Sequence, residues 1–331
     1  MGWTTATVVP STTNGPGLVS GVRDDGDGPD PGVTVVLADG RRLGADDVGD
    51  PAGTPVVYLH GSPDCRLARH PDDGVATGLG IRLIAVDRPG WGSSDPRPHP
   101  SVGAFAADLA GLLDHLGIDR VGLVAWSAGA PSALGAAAVL GDRVTALVTY
   151  GAMPPAPAMD DPAVREASGP RLAMRDAVRD VAGDPAALAE LIDASAALLV
   201  PPPPVDAAVA LEHVEETLGA RSLAEVRSVP GSLDALAASV RTVAATGGRG
   251  LAADLAVQFL APLDVDLAAV TATARFVHGD RDRLAGPAVG AWLAAQVPGA
   301  TLDVRADAGH HAIFALWPEL LTLAAGGTTR R

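Results

Sequence analysis

Seven short runs of Val, Ile, Leu and Ala, at residues 33–37, 55–60, 82–86, 121–126, 144–150, 274–278 and 301–305, alternate with longer stretches of helical pattern. A near-continuous apolar strand needs both of its faces buried, which a mostly parallel sheet with helices packed on each side provides. The expected fold class is therefore α/β. Asp39-Gly40 sits between two β-like runs and reads as a hairpin turn, adding an antiparallel edge, so the sheet is expected to be mixed.

Between Tyr150 and Arg275 the strand pattern disappears and gives way to Ala/Leu/Val/Glu periodicity, as at residues 184–199 and 207–218. That stretch reads as a helical insertion rather than a second α/β unit. Inside it, Pro201-Pro202-Pro203-Pro204 breaks a helix and forms a stiff connector, and Gly247-Gly248-Arg249-Gly250 breaks another. At 331 residues the chain is about twice a typical domain of ~150, a length that fits one large α/β body with an insertion. The expected division is an irregular N-terminal arm over 1–32, a core over 33–152, a helical cap over 153–270 and the rest of the core over 271–331. The arm is crowded with Gly, Pro and Asp. Its Asp-Gly-Asp-Gly run lacks both the register and the closing Glu of a calcium loop, so it reads as a solvated turn.

Lys and Arg total 24 against 39 Asp and Glu, a formal charge of −15, whereas nucleic-acid binding calls for a basic face. With 47% hydrophobic and only 3% aromatic residues, small aliphatic side chains must fill the core. The lone cysteine, Cys65, excludes an intramolecular disulfide and argues against a cysteine-built zinc site. Neither a basic leader followed by an apolar run nor an uninterrupted apolar stretch of ~20 residues is present, so a cytoplasmic protein without a membrane segment is expected. No glycine spacing matches a phosphate-binding loop, and no cofactor is expected. No pattern in the sequence specifies an oligomeric state.

The chemistry concentrates where strands end. Leu123-Val124-Ala125-Trp126-Ser127-Ala128-Gly129-Ala130 runs a strand straight into a serine and then a small-residue helix. A serine on so sharp a turn brings the residues two before and two after it close together, and Ala125 and Gly129 are small enough. There Ser127 lies at a helix N-terminus, which favours developing negative charge, and the Ala128 amide becomes one oxyanion donor. The alternative is a serine that merely caps the helix over 128–140. His60-Gly61-Ser62-Pro63 follows another strand, and Gly61 lets the backbone turn the Ser62 amide toward the sheet edge as a second donor. His60 itself reads as a buried organiser of that loop.

Phe276-Val277-His278-Gly279-Asp280-Arg281-Asp282 delivers two carboxylates to the same edge. The spacing favours Asp282 as the group that orients a histidine, with Asp280 a loop-stabilising residue and the alternative partner. Asp307-Ala308-Gly309-His310-His311 supplies His310 as general base. His310 and His311 do not form a metal pair, because adjacent residues point apart and no carboxylate spacing completes a site.

With Ser127, Asp282 and His310 in this order, each after a strand, the chain resembles the α/β-hydrolase superfamily, in particular its cap-bearing bacterial serine hydrolases, over roughly residues 33–325. Asp87-Arg88-Pro89-Gly90-Trp91-Gly92-Ser93-Ser94-Asp95 also looks like the family's loop after the fourth strand, whose Asp87 and Arg88 are expected to be organisers. The resemblance implies an acyl-enzyme on Ser127 and a substrate that is an apolar ester, lactone or acyl compound held under the cap. Acyl transfer, cyclisation or perhydrolysis by the same triad is one alternative, and a non-catalytic ligand-binding receptor is another. A serine nucleophile, with only Tyr58 and Tyr150 as tyrosines, argues against epoxide hydrolases, which use a carboxylate. Proline-iminopeptidase relatives differ from this chain at His60-Gly61-Ser62-Pro63-Asp64 and at the serine turn.

Overall fold

A computed structural model describes residues 32–169 and 171–327. Apart from Gly32, the N-terminal arm expected over 1–32 lies outside the described residues. β1 (Val33–Val36) and β2 (Arg42–Gly49) form the anticipated hairpin, and β2 pairs antiparallel with β4 (Ile81–Val86). β4 then pairs parallel with β3 (Thr54–Leu59), followed by β5 (Val121–Trp126), β6 (Val144–Tyr150), β7 (Thr273–Gly279) and β8 (Thr301–Arg305), all parallel. The order β1-β2-β4-β3-β5-β6-β7-β8 makes a mixed, mostly parallel sheet.

Alternation along each strand sorts its side chains onto two separate cores. Val57, Leu59, Leu123, Ala125 and Leu147 join one, with α2 (Phe105–His115), α3 (Ala130–Leu140) and α11 (Pro287–Gln296). Val56, Tyr58, Val124, Trp126 and Tyr150 join the other, with α1 (Gly74–Gly78) and α12 (Ile313–Ala324). Both faces of the central strands are therefore dry, the condition the unbroken apolar runs required. The more polar β2 is held by ion pairs instead: Asp46 to Arg66 at 2.8 Å and Asp47 to Arg82 at 2.7 Å.

Between β6 and β7 lie α4 (Pro162–Ala167), α5 (Arg171–Val181), α6 (Pro185–Leu199), α7 (Ala207–Thr217), α8 (Ala220–Arg227), α9 (Ser232–Thr246) and α10 (Gly250–Leu255). Asp184 caps α6 and Asp206 caps α7, each accepting amide hydrogen bonds of the first turn. The four prolines separate these two helices, and the Gly247-Gly248 break separates α9 from α10.

The chain winds from β3 out to β4 and then returns to β5 on the other side of β3. Such a reversal opens a crevice at the carboxyl ends of the strands. Leu59 pairs with Ala125 there, so the loop after β3 and the turn after β5 lie side by side.

Candidate active site

Ser127 stands in that crevice. Trp126 is extended (φ −109, ψ 135), and Ser127 then turns to φ +53, a conformation that strains any residue other than glycine. A short 3-10 turn, Ser127–Gly129, precedes α3, so the helix begins two residues later than the expected 128. Tightened turns of this kind are frequent at helix N-termini. The two starts are at Trp126 and Gly129, and among the described residues Ser127 Oγ accepts no amide, so Ser127 does not cap the helix. A Cβ on Gly129 would meet the Leu59 carbonyl at 2.5 Å and that of His60 at 2.7 Å. The smallest residue is therefore obligatory two positions after Ser127.

The neighbouring loop is built around His60, which is fully buried. Its Nε2 accepts the Arg88 amide at 3.0 Å, which assigns the ring proton to Nδ1, the donor to the Gly61 carbonyl at 2.7 Å. Burial, reinforced by the Arg88 charge, holds the ring well below the usual histidine range, so it is neutral. The Arg88 guanidinium donates to the His60 and Gly61 carbonyls at 2.9 and 2.8 Å, and Asp254 of α10 grips its outer edge. With both carbonyls committed, the Ser62 amide has no protein acceptor among the described residues. The Ala128 amide, in the first helical turn, has no intrahelical acceptor either.

Asp282 and His310 meet at 2.7 Å, Oδ2 to Nδ1. The other Asp282 oxygen accepts the Leu284 and Ala285 amides at 2.8 and 2.9 Å. Burial pushes this carboxyl up, but the His310 charge and these three hydrogen bonds outweigh it and hold it below the ordinary value. Asp280 faces Arg281 at 3.7 Å, so the carboxylate that reaches the histidine is Asp282.

The loop carrying His310 is fixed from several directions. Trp126 Nε1 donates to the His310 carbonyl at 3.1 Å, and the Tyr150 hydroxyl donates to that of Gly309. Glu225 of α8 accepts the Gly309 amide at 2.5 Å and the His311 amide at 3.1 Å, straddling His310. A Cβ on Gly309 would come within 2.8 and 2.9 Å of the Glu225 oxygens, so a larger residue there would displace the carboxylate from the two amides. Gly151, just beyond β6 at φ +54, lies beneath the pair: a Cβ there would sit 2.9 Å from His310 Nδ1 and 3.0 Å from Asp282 Oδ2. His311 packs edge-on to Trp126, and burial together with the His310 charge pulls its pKa to about 3.

Ser62, Ser127 and His310 all line one cavity of about 250 Å³ whose walls include Met153, Leu199, Leu218, Leu236 and Val240. Among the described residues no hydrogen bond joins Ser127 Oγ to the His310 ring. Such contacts are commonly long without substrate and tighten in the complex. Sequence reasoning missed Gly151, Glu225, Trp126 and Tyr150. The position of Tyr150-Gly151 at the carboxyl end of a strand is a usable signal, whereas nothing local marks Glu225.

The sequence profile of the family described as alpha/beta hydrolase fold matches residues 54–315. The chain belongs to this family. A solved alpha/beta hydrolase fold protein from Nakamurella multipartita is similar to it with a TM-score of 0.58 at 27% identity, over 89% of this chain and 99% of that one. Epoxide hydrolase 2 of Siraitia grosvenorii is 36% identical over 118 residues, 35% of this chain and 37% of that protein. The 2-hydroxy-6-oxo-2,4-heptadienoate hydrolase of Pseudomonas putida F1 is 40% identical over 124 residues, 36% of this chain and 44% of that protein. The chain thus matches under half the length of these curated relatives. Among the described residues of this α/β-hydrolase, no helix is long and apolar enough to cross a membrane.

Proposed function

We propose that this protein is a serine hydrolase that cleaves a carboxylic ester or lactone with an apolar acyl part, through an acyl-enzyme on Ser127. The observation that carries the reading is Ser127 at φ +53, opening into the same apolar cavity as a histidine held at 2.7 Å by Asp282. Because His310 Nδ1 faces a carboxylate, its proton resides there and Nε2 is free to act as base. Ser127 Oγ attacks the carbonyl carbon as Nε2 takes its proton, and the Ser62 and Ala128 amides hold the oxyanion. His310 then protonates the leaving group, and water, activated by the same ring, releases the acid. In this reading residues 153–270 act as the cap and supply most of the acyl pocket.

The epoxide-hydrolase likeness does not redirect this reading. The nucleophile position holds a serine, and both tyrosines are buried in the sheet, their hydroxyls donating to the Ala68 and Gly309 carbonyls. The likeness to the heptadienoate hydrolase favours a second reading, in which the same serine chemistry hydrolyses a carbon–carbon bond beside a ketone. The test is intact-mass analysis after fluorophosphonate treatment of wild type, Ser127→Ala and His310→Ala. One adduct on wild type that is lost in both variants is expected, and an unlabelled, folded wild type refutes the acyl-enzyme. Turnover of esters and lactones against vinylogous 1,5-diketones then separates the two readings.

A further inference from the structure

One carboxylate in the cavity takes no part in the chemistry above. Asp64, two residues beyond Ser62, lines the cavity that holds Ser127 and His310, which Leu236 and Val240 of α9 also line. Its Oδ1 accepts one hydrogen bond, from Ser239 Oγ at 3.2 Å. That hydroxyl in turn accepts the Cys65 amide at 2.9 Å, so its proton is directed at Asp64 and the carboxylate is held in place. Among the described residues nothing donates to Oδ2, and no ion pair is made. Two neighbouring aspartates differ: Asp87 is paired with Arg66, and Asp254 of α10 with Arg88. Arg88 lies near enough to act on Asp64 through its charge, but its guanidinium is committed to Asp254 and the two loop carbonyls. Asp64 is half-buried at the cavity, and desolvation pushes its carboxyl up to about 6, leaving it largely ionised at neutral pH. A carboxylate oxygen at a cavity wall with no protein donor is available to accept a hydrogen bond from a bound group.

We propose that Asp64 forms a subsite for a hydrogen-bond-donating group of the substrate, a hydroxyl or a protonated amine, carried a few bonds from the scissile carbonyl. The reach follows from the chain: two residues span at most ~7 Å, so a group a few bonds from a carbonyl seated on the Ser62 amide is within range of Asp64. The substrate class is thereby narrowed from plain apolar esters to hydroxyacyl or aminoacyl esters and lactones with an otherwise apolar body. The inference rests on Ser127 being the nucleophile.

The experiment compares kcat/KM for the p-nitrophenyl esters of butyrate, 3-hydroxybutyrate and 3-aminobutyrate in wild type, Asp64→Asn, Asp64→Leu and Ser239→Ala. In wild type the donor-bearing esters are preferred over butyrate by about tenfold or more relative to Asp64→Leu, in which the preference collapses. Asp64→Asn separates the two donors: it keeps preference for the hydroxyl and loses it for the ammonium if charge is what is recognised. Ser239→Ala, which leaves the carboxylate in place but unanchored, weakens the preference without abolishing it. A wild-type preference that survives in Asp64→Leu, or none in wild type, overturns the proposal. In parallel, calorimetric binding of the corresponding methyl esters to Ser127→Ala reads the subsite without turnover. Tighter binding of the donor-bearing esters there sustains the subsite even if the fluorophosphonate test fails, and equal binding removes it even if that test succeeds.

Discussion

Replacing Gly151 with alanine drives a methyl group between the aspartate and histidine on which the proposed mechanism depends. The new Cβ would sit 2.9 Å from His310 Nδ1 and 3.0 Å from Asp282 Oδ2, where ordinary carbon contacts begin near ~3.5 Å. Each partner has to retreat by about 0.5 Å, which takes the 2.7 Å hydrogen bond to the margin of bonding distance. A hydrogen bond to a charged group contributes ~1.5–3 kcal/mol, and an alanine at φ +54 costs a further ~1–2 kcal/mol. With the imidazole no longer held in the right tautomer, the rate of serine acylation should fall ~10²-fold or more; loss of the aspartate's orienting role in a serine protease costs ~10⁴-fold. Gly247→Ala is the control. Its φ is +67 in the left-handed region and a Cβ there meets nothing within 4 Å, so it carries a backbone penalty without the clash. The assay is the second-order rate of fluorophosphonate labelling, beside circular dichroism and the unfolding midpoint of both variants. Full-rate labelling of a folded Gly151→Ala protein refutes the claim that the Asp282–His310 contact is needed.

Two further outcomes follow from the same geometry. Glu225→Ala removes the acceptor of the Gly309 and His311 amides, and kcat is expected to drop about tenfold with little change in KM, while Glu225→Gln, which retains a carbonyl acceptor, recovers part of the loss. His311 is held neutral in the folded state with a pKa of about 3, against 6.5 when exposed, so its contribution to stability is complete above pH 6.5 and is lost as pH falls. Urea unfolding should show wild type losing ~2–3 kcal/mol relative to His311→Gln between pH 6.5 and 4.5, and parallel curves for the two proteins would contradict that assignment. His60 and His278, both depressed by burial, steepen the acid side in both proteins alike.

The strands were legible because a sheet buried on both faces imprints unbroken apolar runs, and β5, β6 and β8 fall at residues 121–126, 144–150 and 301–305 as read. β2 was the faintest of the strands, marked only through its hairpin, because Asp46 and Asp47 there answer to arginines far along the chain. Ser127, Asp282 and His310 could be read as candidates because each lies within a few residues after a strand of one sheet edge. The choice between Asp280 and Asp282 turns on how the loop folds back onto the Leu284 and Ala285 amides, a matter that spacing only suggests. Glu225 and Asp64 carried no local signal at all. Their importance comes from what the fold sets opposite them, 84 residues away at Gly309 and 175 away at Ser239.

Two carboxylates of the inserted helices therefore reach into the core: Glu225 holds the backbone on either side of His310, and Asp254 grips the arginine that shapes the loop beneath Ser62. A segment joined in this way is not an interchangeable module. Grafting the insertion of another α/β-hydrolase onto this scaffold, a natural route to new specificity, would transplant the proposed pocket and at the same time cut two supports of the proposed reaction centre. A productive chimera would need to bring an acceptor to each of those places, and a library of such grafts screened for activity would be enriched in acidic residues at the positions equivalent to 225 and 254.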